Sequence, residues 1–156
     1  PARATHQLLG TYDDALRPVM AETLRALGTR RAWVVRGEDG ADEVSPAGPT
    51  RVTELDGDRV RERIVTPEDF GIPRGGVSEV AGGDAATNAK AIESILHGEP
   101  HPAQNAVVLN AAAAALVAQG GEPKDATAKV KEAIASGRAF ATLEKWRAAA
   151  RRAKTA

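Results

Sequence analysis

The spacing of apolar residues over the first 36 positions predicts a strand, a helix and a second strand. Gln7 to Tyr12 is a short apolar run with a β-favouring end, followed by two aspartates that can cap a helix. The next segment repeats mainly apolar residues at the spacing of one helix face, at Leu16, Val19, Met20, Thr23, Leu24 and Leu27. Gly28 can end that helix, and Ala32 to Val35 is a second apolar run. The order predicts a right-handed βαβ unit with parallel strands.

Alternation replaces helical spacing between Thr50 and Val65, where Asp56-Gly57-Asp58 interrupts the apolar residues. Alternation on both sides of an Asp-Gly pair is typical of a β-hairpin. Thr66-Pro67 resembles a capped first turn, which predicts a short helical turn. Residues 71–83 are rich in Gly and Pro and predict a loop.

The remainder of the chain predicts helices. Asp84 can cap a helix that runs to Gly98. Residues 106–118 are apolar on nearly all faces, which favours a buried helix. After a break at residues 120–123, spaced apolar residues lead to Gly137, and a last amphipathic helix is predicted. The tail is expected to be helical at first and then to fray as a basic end.

Composition narrows the class of protein. The chain has 156 residues, which suits a single domain over residues 1–156. Its 21 Lys and Arg balance 21 Asp and Glu, so no global charge favours nucleic acid. The lack of Cys excludes disulfide scaffolds and thiolate chemistry. No apolar run approaches the roughly 18 residues of a membrane span, and the first residues do not resemble a signal peptide. A cytoplasmic protein without membrane contacts is expected.

Asp42 and Glu43 are the strongest candidates for a chemical site. They are adjacent carboxylates in a Gly-flanked loop directly after a predicted parallel strand, where open α/β sheets usually bind ligands. Mg²⁺ takes few protein carboxylates and shares the rest of its coordination with water and substrate phosphates. Acidic loop residues are more often simply solvated. The residues alone therefore leave both interpretations open, a metal site or a solvated loop.

The other candidates favour structural interpretations. The two histidines in residues 97–101 have helical ligand spacing, but a Gly and a Pro between them break the helix. Gly82-Gly83 opens a helix that could bind an anion, yet Asp84 is placed to satisfy the same N–H groups. The basic residues between Lys145 and Lys154 are typical of a helix C-terminus rather than of a phosphate site. No G-x-S-x-G nucleophile elbow is present.

Several short segments follow one another in the order that characterises one enzyme family. They are Pro1-Ala2, Gln7-Leu8-Leu9-Gly10-Thr11-Tyr12, Met20-Ala21-Glu22 with Leu24 and Leu27-Gly28, Val34-Val35-Arg36-Gly37, Gly40-Ala41-Asp42-Glu43, Gly48-Pro49-Thr50, Thr66-Pro67-Glu68-Asp69-Phe70-Gly71, Gly82-Gly83-Asp84-Ala85-Ala86 with Asn88-Ala89, and Leu109-Asn110-Ala111-Ala112. In this order they resemble the C-terminal part of the large domain of anthranilate phosphoribosyltransferases. The resemblance covers essentially the whole chain.

The resemblance implies an α/β fold with a mixed, mostly parallel sheet, flanking helices and a β-hairpin. It also implies an enzyme of tryptophan biosynthesis that transfers phosphoribosyl from phosphoribosyl pyrophosphate to anthranilate. In that family the acidic pair, here Asp42 and Glu43, binds Mg²⁺ that helps to hold phosphoribosyl pyrophosphate. The family enzyme is a homodimer, whose interface is expected outside this chain.

The chain also departs from the family pattern. The family's Gly-Thr-Gly-Gly-Asp pyrophosphate loop does not occur in the sequence. The lysine-bearing phosphate loop, the anthranilate-contacting arginine and the small helical domain are expected upstream of Pro1. The usual Gly-Leu-Asp-Glu has Ala41 in place of Leu, and Arg36 replaces a common His. This chain alone is therefore expected to be inactive.

Two alternatives stay open at the level of sequence. One is a non-catalytic paralogue that keeps the fold and binds nucleic acid, which the balanced charge disfavours. The other is a fragment of a pyrimidine nucleoside phosphorylase of the same superfamily. The acidic pair and the segment from Thr66 to Gly71 favour the anthranilate enzyme.

Overall fold

Four strands form one sheet in the computed structural model, which describes residues 4–154. The strands are β1 (His6–Gly10), β2 (Arg31–Gly37), β3 (Thr50–Asp56) and β4 (Arg59–Val65), and they lie in the order β1-β2-β3-β4. The segment Pro1-Ala2, part of the family resemblance, lies outside the described residues.

The sheet is mixed, as predicted, but the expectation that most of it is parallel is wrong for the described strands. β1 pairs with β2 in parallel, whereas β2 with β3 and β3 with β4 are antiparallel. Parallel neighbours need a crossover, which α1 (Leu16–Ala26) supplies between the first two strands. The loop of residues 38–49 carries no helix, so it returns the chain as an antiparallel neighbour.

Four further helices and two short 3₁₀ turns complete the described chain. The helices are α2 (Ala85–Leu96), α3 (Gln104–Gln119), α4 (Pro123–Ala135) and α5 (Arg138–Lys154), and the turns are Pro67–Phe70 and Val77–Val80. All the predicted helices are present, and the predicted loop over residues 71–83 contains the second turn. The tail is helical as far as Lys154, as predicted for its first part, and the predicted frayed end stays a prediction.

Local signals explain where these elements begin and end. The turn at Pro67–Phe70 has a reciprocal capping box between Thr66 and Asp69. The Asp84 side chain accepts the Thr87 backbone N–H at 2.8 Å, so it caps α2 as predicted. Gly57, in the hairpin turn between β3 and β4, has φ 60°, a backbone conformation that glycine adopts without strain.

The main core lies between one face of the sheet and α3. Trp33, Val35 and Val52 belong to the same buried cluster as Leu109 and Ala113 of α3. Successive strand residues point to opposite faces, so Val34 faces the other side, which α1 covers. In residues 4–154 no helix is both long and apolar enough to cross a membrane.

Candidate functional site

Asp42 and Glu43 lie in the loop of residues 38–49, hereafter the acidic loop, which follows β2. The loop folds back over the end of the neighbouring parallel strand. A Cβ atom added to Gly10, the last residue of β1, would lie 1.5 Å from the Asp42 carbonyl oxygen. The contact brings the acidic pair to the edge where both parallel strands end, the usual position of ligands in open α/β sheets.

Hydrogen bonds inside the acidic loop fix its first turn. The Gly37 N–H donates to the Ala41 carbonyl at 2.8 Å, and the Ala41 N–H donates to Asp39 Oδ1 at 3.2 Å. Asp39 Oδ2 accepts the Ser45 hydroxyl at 2.7 Å. Because Ala41 contributes through its backbone, its two bonds do not depend on which side chain stands at this position.

A second set of hydrogen bonds anchors the far end of the acidic loop. The Ser45 N–H donates to Thr50 Oγ1 at 2.8 Å, which ties the loop to β3. The side-chain amide of Asn110 on α3 bonds both backbone groups of Val44, at 2.9 and 3.0 Å. Val44 and Ser45 are fully buried, whereas Asp42 is exposed. The two carboxylates therefore project from a segment whose backbone is firmly held.

Sequence reasoning missed both Asp39 and Asn110 as residues of this site. Asp39 shapes the loop through Ala41 and Ser45, and only the Asp-Gly pair at positions 39 and 40 hints at a turn. In the sequence, Asn110 is singled out only as part of a segment that resembles the family. The sequence nevertheless marks Asn110 as unusual, because it is the one polar residue in the apolar stretch of residues 106–118.

The electrostatics of the acidic loop favour a cation. Burial raises the pKa of the Glu43 carboxyl, and the nearby charges of Asp42 and Asp39 raise it further. A divalent cation would relieve this repulsion, and carboxylate oxygens are ligands that Mg²⁺ accepts. No cluster of three or more potential ligands occurs in residues 4–154. The pair would therefore hold Mg²⁺ together with water molecules, and also with substrate oxygens when substrate is bound.

Arg36 connects the ends of the two parallel strands. Its Nε–H donates to the Tyr12 carbonyl at 3.0 Å, beyond the end of β1. Together with Asp14, Glu38 and Arg51 it lines a groove at this edge of the sheet. Arg51 lies 3.4 Å from the Asp14 carboxylate and 3.7 Å from that of Glu38, so the charges in the groove are largely balanced.

The two histidines at positions 97 and 101 and the turn before α2 make structural contacts. The His97 ring packs on Phe140 with 4.0 Å between centroids, and His101 Nδ1 accepts the Ala103 N–H at 3.1 Å. The side-chain amide of Asn88 bonds the N–H and the carbonyl of Gly83, at 2.9 and 3.1 Å. The cap by Asp84 and this amide satisfy the turn before α2, which agrees with the structural interpretation of Gly82-Gly83-Asp84.

A second polar pocket, of about 270 Å³, lies toward the other end of β2. Arg31, Arg61 and Arg63 line it, together with the buried Glu54. Burial opposes ionisation of Glu54, but hydrogen bonds from Arg61 and Trp33 Nε1 hold its pKa below the usual value. Arg31 lies 3.4 Å from the Asp56 carboxylate. The pocket's cations are thus matched by carboxylates, and it offers no strong positive field to an anion.

The sequence is similar to a known family of transferases. Residues 1–140 match the model of the glycosyl transferase family, a/b domain. Anthranilate phosphoribosyltransferase of Desulfatibacillum aliphaticivorans is 50% identical over 145 residues, 92% of this chain and 43% of the relative. The enzyme of Moorella thermoacetica is 43% identical over 145 residues, with the same 92% and 43% coverage.

Solved structures show the same fold. Anthranilate phosphoribosyltransferase from Saccharomyces cerevisiae in complex with PRPP and Mg superposes with a TM-score of 0.82 at 29% identity, over 89% of this chain and 41% of that one. The enzyme from Thermus thermophilus gives a TM-score of 0.78 at 35% identity, with the same coverage.

These matches confirm the resemblance drawn from the short segments. The chain spans less than half the length of the curated relatives it matches. The family model covers nearly all of the chain, and the fold and the sequence agree on the same group of enzymes. The chain belongs to the glycosyl transferase family whose a/b domain its residues 1–140 match.

Proposed function

We propose that this chain acts as part of an anthranilate phosphoribosyltransferase of tryptophan biosynthesis. In this role Asp42 and Glu43 bind Mg²⁺ that helps to hold phosphoribosyl pyrophosphate. The observation that carries the proposal is the position of the pair, on an anchored loop at the end of β2, in a fold shared with an enzyme solved in complex with PRPP and Mg. The 50% identity to a relative of that name supports the same activity.

In this reaction the amine nitrogen of anthranilate forms a bond to the anomeric carbon of the sugar. The bond from that carbon to the pyrophosphate oxygen breaks, and the amine loses a proton to solvent or to a base outside this chain. Mg²⁺ supplies charge neutralisation for the departing pyrophosphate. The exposed Asp42 and the half-buried Glu43 present two carboxylates on one short segment, while Asp39 is engaged with Ser45.

The rest of the site is proposed to come from outside this chain. Residues 1–156 would form the C-terminal portion of a catalytic α/β domain, and the phosphate loops and the anthranilate pocket would be completed by other segments of a longer enzyme. This is consistent with the 43% of the relatives' length that the chain spans. The enzyme is proposed to be a cytoplasmic homodimer whose interface lies outside this chain.

The metal role is tested with the variant Asp42→Asn/Glu43→Gln. Mn²⁺ serves as a paramagnetic substitute for Mg²⁺, and its binding is followed by broadening of backbone amide signals in an NMR titration. We expect Mn²⁺ to broaden the amide signals of residues 42 and 43 selectively in the unmodified chain. In the double variant these signals should no longer broaden more than those of other residues. Diamagnetic Mg²⁺ should compete with the broadening.

A charge-matched control separates a site from general attraction. Asp58 and Glu122 are exposed and lie outside the acidic loop, so Asp58→Asn/Glu122→Gln removes the same net charge. The control should bind Mn²⁺ as the unmodified chain does. Equal loss of broadening in both variants, or broadening that persists without the pair, would show that Asp42 and Glu43 do not form the metal site.

A further inference from the structure

Asn110 is an unusual residue for its position in the fold. It lies inside α3 and is the one polar residue between Ala106 and Ala118. Asparagine is unfavourable within helices because its amide competes for backbone hydrogen bonds, and a half-buried amide needs partners of its own. Its partners therefore indicate why an amide occupies this position.

The Asn110 amide reaches across to the acidic loop. Its Oδ1 accepts the Val44 N–H at 2.9 Å, and its Nδ2 donates to the Val44 carbonyl at 3.0 Å and to the Ala106 carbonyl at 3.1 Å. Both amide hydrogens and the oxygen are thus used. The two bonds to Val44 resemble those that a residue of a neighbouring strand would make. Because Val44 is fully buried, its backbone N–H and carbonyl have few other partners available.

This clamp acts directly beside the acidic pair. Val44 follows Glu43 in the chain, and the Asp42 carbonyl on the other side of Glu43 rests against Gly10. The backbone is therefore held on both sides of Glu43, by β1 before it and by α3 after it. Rotation of the segment between the two contacts would redirect both carboxylates, and metal affinity depends on the orientation of its ligands.

We propose that Asn110 is a positioning residue for the Mg²⁺ pair: it fixes the backbone of Val44 and thereby the direction and burial of the Glu43 carboxylate. The inference rests on the proposed function, because it assumes that Asp42 and Glu43 bind the metal. It adds that the affinity of the pair depends on Asn110, which bonds Val44 across 66 positions of the chain and does not touch the ion.

The test compares Mn²⁺ binding by the unmodified chain and by Asn110→Ala, using broadening of the amide signals of residues 42 and 43. Residues that orient metal ligands typically contribute about tenfold or more to affinity, so we expect the Mn²⁺ concentration at half-broadening to rise by about tenfold. Hydrogen exchange at the Val44 amide should accelerate, while core amides of β2 and β3 keep their protection.

Two control variants separate positioning from general stability. Asn88→Ala removes the same kind of amide clamp from Gly83, outside the acidic loop. Leu116→Ala weakens the packing of α3 at the buried Leu116 and leaves the bonds to Val44 in place. Both controls should bind Mn²⁺ within about twofold of the unmodified chain, because neither changes the support of the pair. If Asn110→Ala does not fold, Asn110→Ser retains a hydroxyl of smaller reach and should show the same loss of affinity.

The outcomes distinguish this inference from the proposed function. Unchanged Mn²⁺ binding in the Asn110 variant, with loss of binding in Asp42→Asn/Glu43→Gln, overturns the positioning role and leaves the metal pair intact. An equal loss in Leu116→Ala also overturns it, since the effect would then follow stability. Unchanged binding in Asp42→Asn/Glu43→Gln overturns the metal pair itself.

Discussion

Gly10 occupies a position that has no room for a side chain. An added Cβ would lie 1.5 Å from the Asp42 carbonyl oxygen and 2.4 Å from its carbon, both of which are backbone atoms. Backbone cannot move aside as a flexible side chain can, so the close approach of β1 and the acidic loop requires glycine at this position. A single residue thus determines how near the acidic pair lies to the end of β1.

Gly10→Ala is expected to destabilise the fold by about 3 kcal/mol, because the loop must shift to accept the methyl group. Urea unfolding of the variant measures this. Gly48→Ala in the acidic loop is the matched control, since an added Cβ at Gly48 meets nothing within 4 Å. Equal unfolding free energies for the two variants would contradict the close packing of β1 on the loop.

Glu43 is expected to make stability depend on pH. Burial and the neighbouring Asp42 and Asp39 raise its pKa from the usual 4.5, so the folded chain binds this proton more tightly than the unfolded chain does. The contribution of Glu43 to the free energy of unfolding is therefore most favourable below the usual pKa of the carboxyl. This contribution is lost as the pH rises through the higher pKa of the folded chain. At neutral pH the charged carboxylate weakens the fold.

The variant Glu43→Gln should consequently be more stable than the unmodified chain at pH about 7, and the difference should shrink toward pH about 4. Unfolding curves at several pH values measure this difference. Mg²⁺ should reduce it at neutral pH if the cation binds the acidic pair. A difference that stays constant with pH would show that the Glu43 carboxyl is not perturbed.

At the scale of elements, the attachment of α1 to the sheet depends on a buried arginine. Arg17 has only 5% of its surface exposed and donates to Asp14 at 2.8 Å, to Thr53 at 2.8 Å and to Glu62 at 2.5 Å. The hydrogen bond with Arg17 lowers the pKa of Asp14, although burial opposes this shift. The helix is therefore held to β3 and β4 by polar contacts as well as by apolar packing.

Arg17→Ala should lower the free energy of unfolding by about 2 kcal/mol. The cost stays moderate because Asp14 and Glu62, with side chains 40% and 56% exposed, can be hydrated once the arginine is removed. Arg25→Ala on the same helix removes an exposed ion pair with Glu22 and should change stability by less than about 0.5 kcal/mol. Similar effects of the two substitutions in denaturant unfolding would show that the buried network does not hold α1.

At the scale of the whole molecule, the chain supplies one part of the proposed site. It carries the acidic pair on an anchored loop, and it spans 43% of the length of the relatives it matches. The family resemblance assigns the phosphate loops and the anthranilate-contacting arginine to segments that these residues do not contain. Residues 1–156 are therefore expected to bind the metal ion without catalysing the transfer of the phosphoribosyl group.

The isolated chain, supplied with anthranilate, phosphoribosyl pyrophosphate and Mg²⁺, is expected to show no transferase activity above background. Loss of anthranilate fluorescence measures the reaction, and a complete anthranilate phosphoribosyltransferase assayed in parallel provides the reference. Turnover close to that of the complete enzyme would show that the chain holds a full active site. Such a result would overturn the proposed division of the site.

Elements governed by neighbouring residues followed directly from the sequence. Asp84 caps α2 through Thr87, three positions away, and Thr66 and Asp69 close a capping box over the same distance. The hairpin of β3 and β4 follows from alternation around Gly57. Such features depend on residue spacing and on hydrogen bonds between residues a few positions apart, so the sequence alone predicts them. The prediction of a metal site at the acidic pair rests on a signal of the same kind, two adjacent carboxylates in a Gly-flanked loop.

Contacts between distant residues arise only from tertiary packing. The expectation of a mostly parallel sheet is wrong because β3 runs antiparallel to β2. A parallel β3 would need a crossover connection, and the acidic loop contains no helix that could supply one. Asn110 reaches Val44 across 66 positions, and Gly10 meets Asp42 across a strand end. No local rule specifies these pairs, since each exists only once β1, the acidic loop and α3 have packed together. Residue types therefore identified the acidic pair, and only packing fixed its orientation.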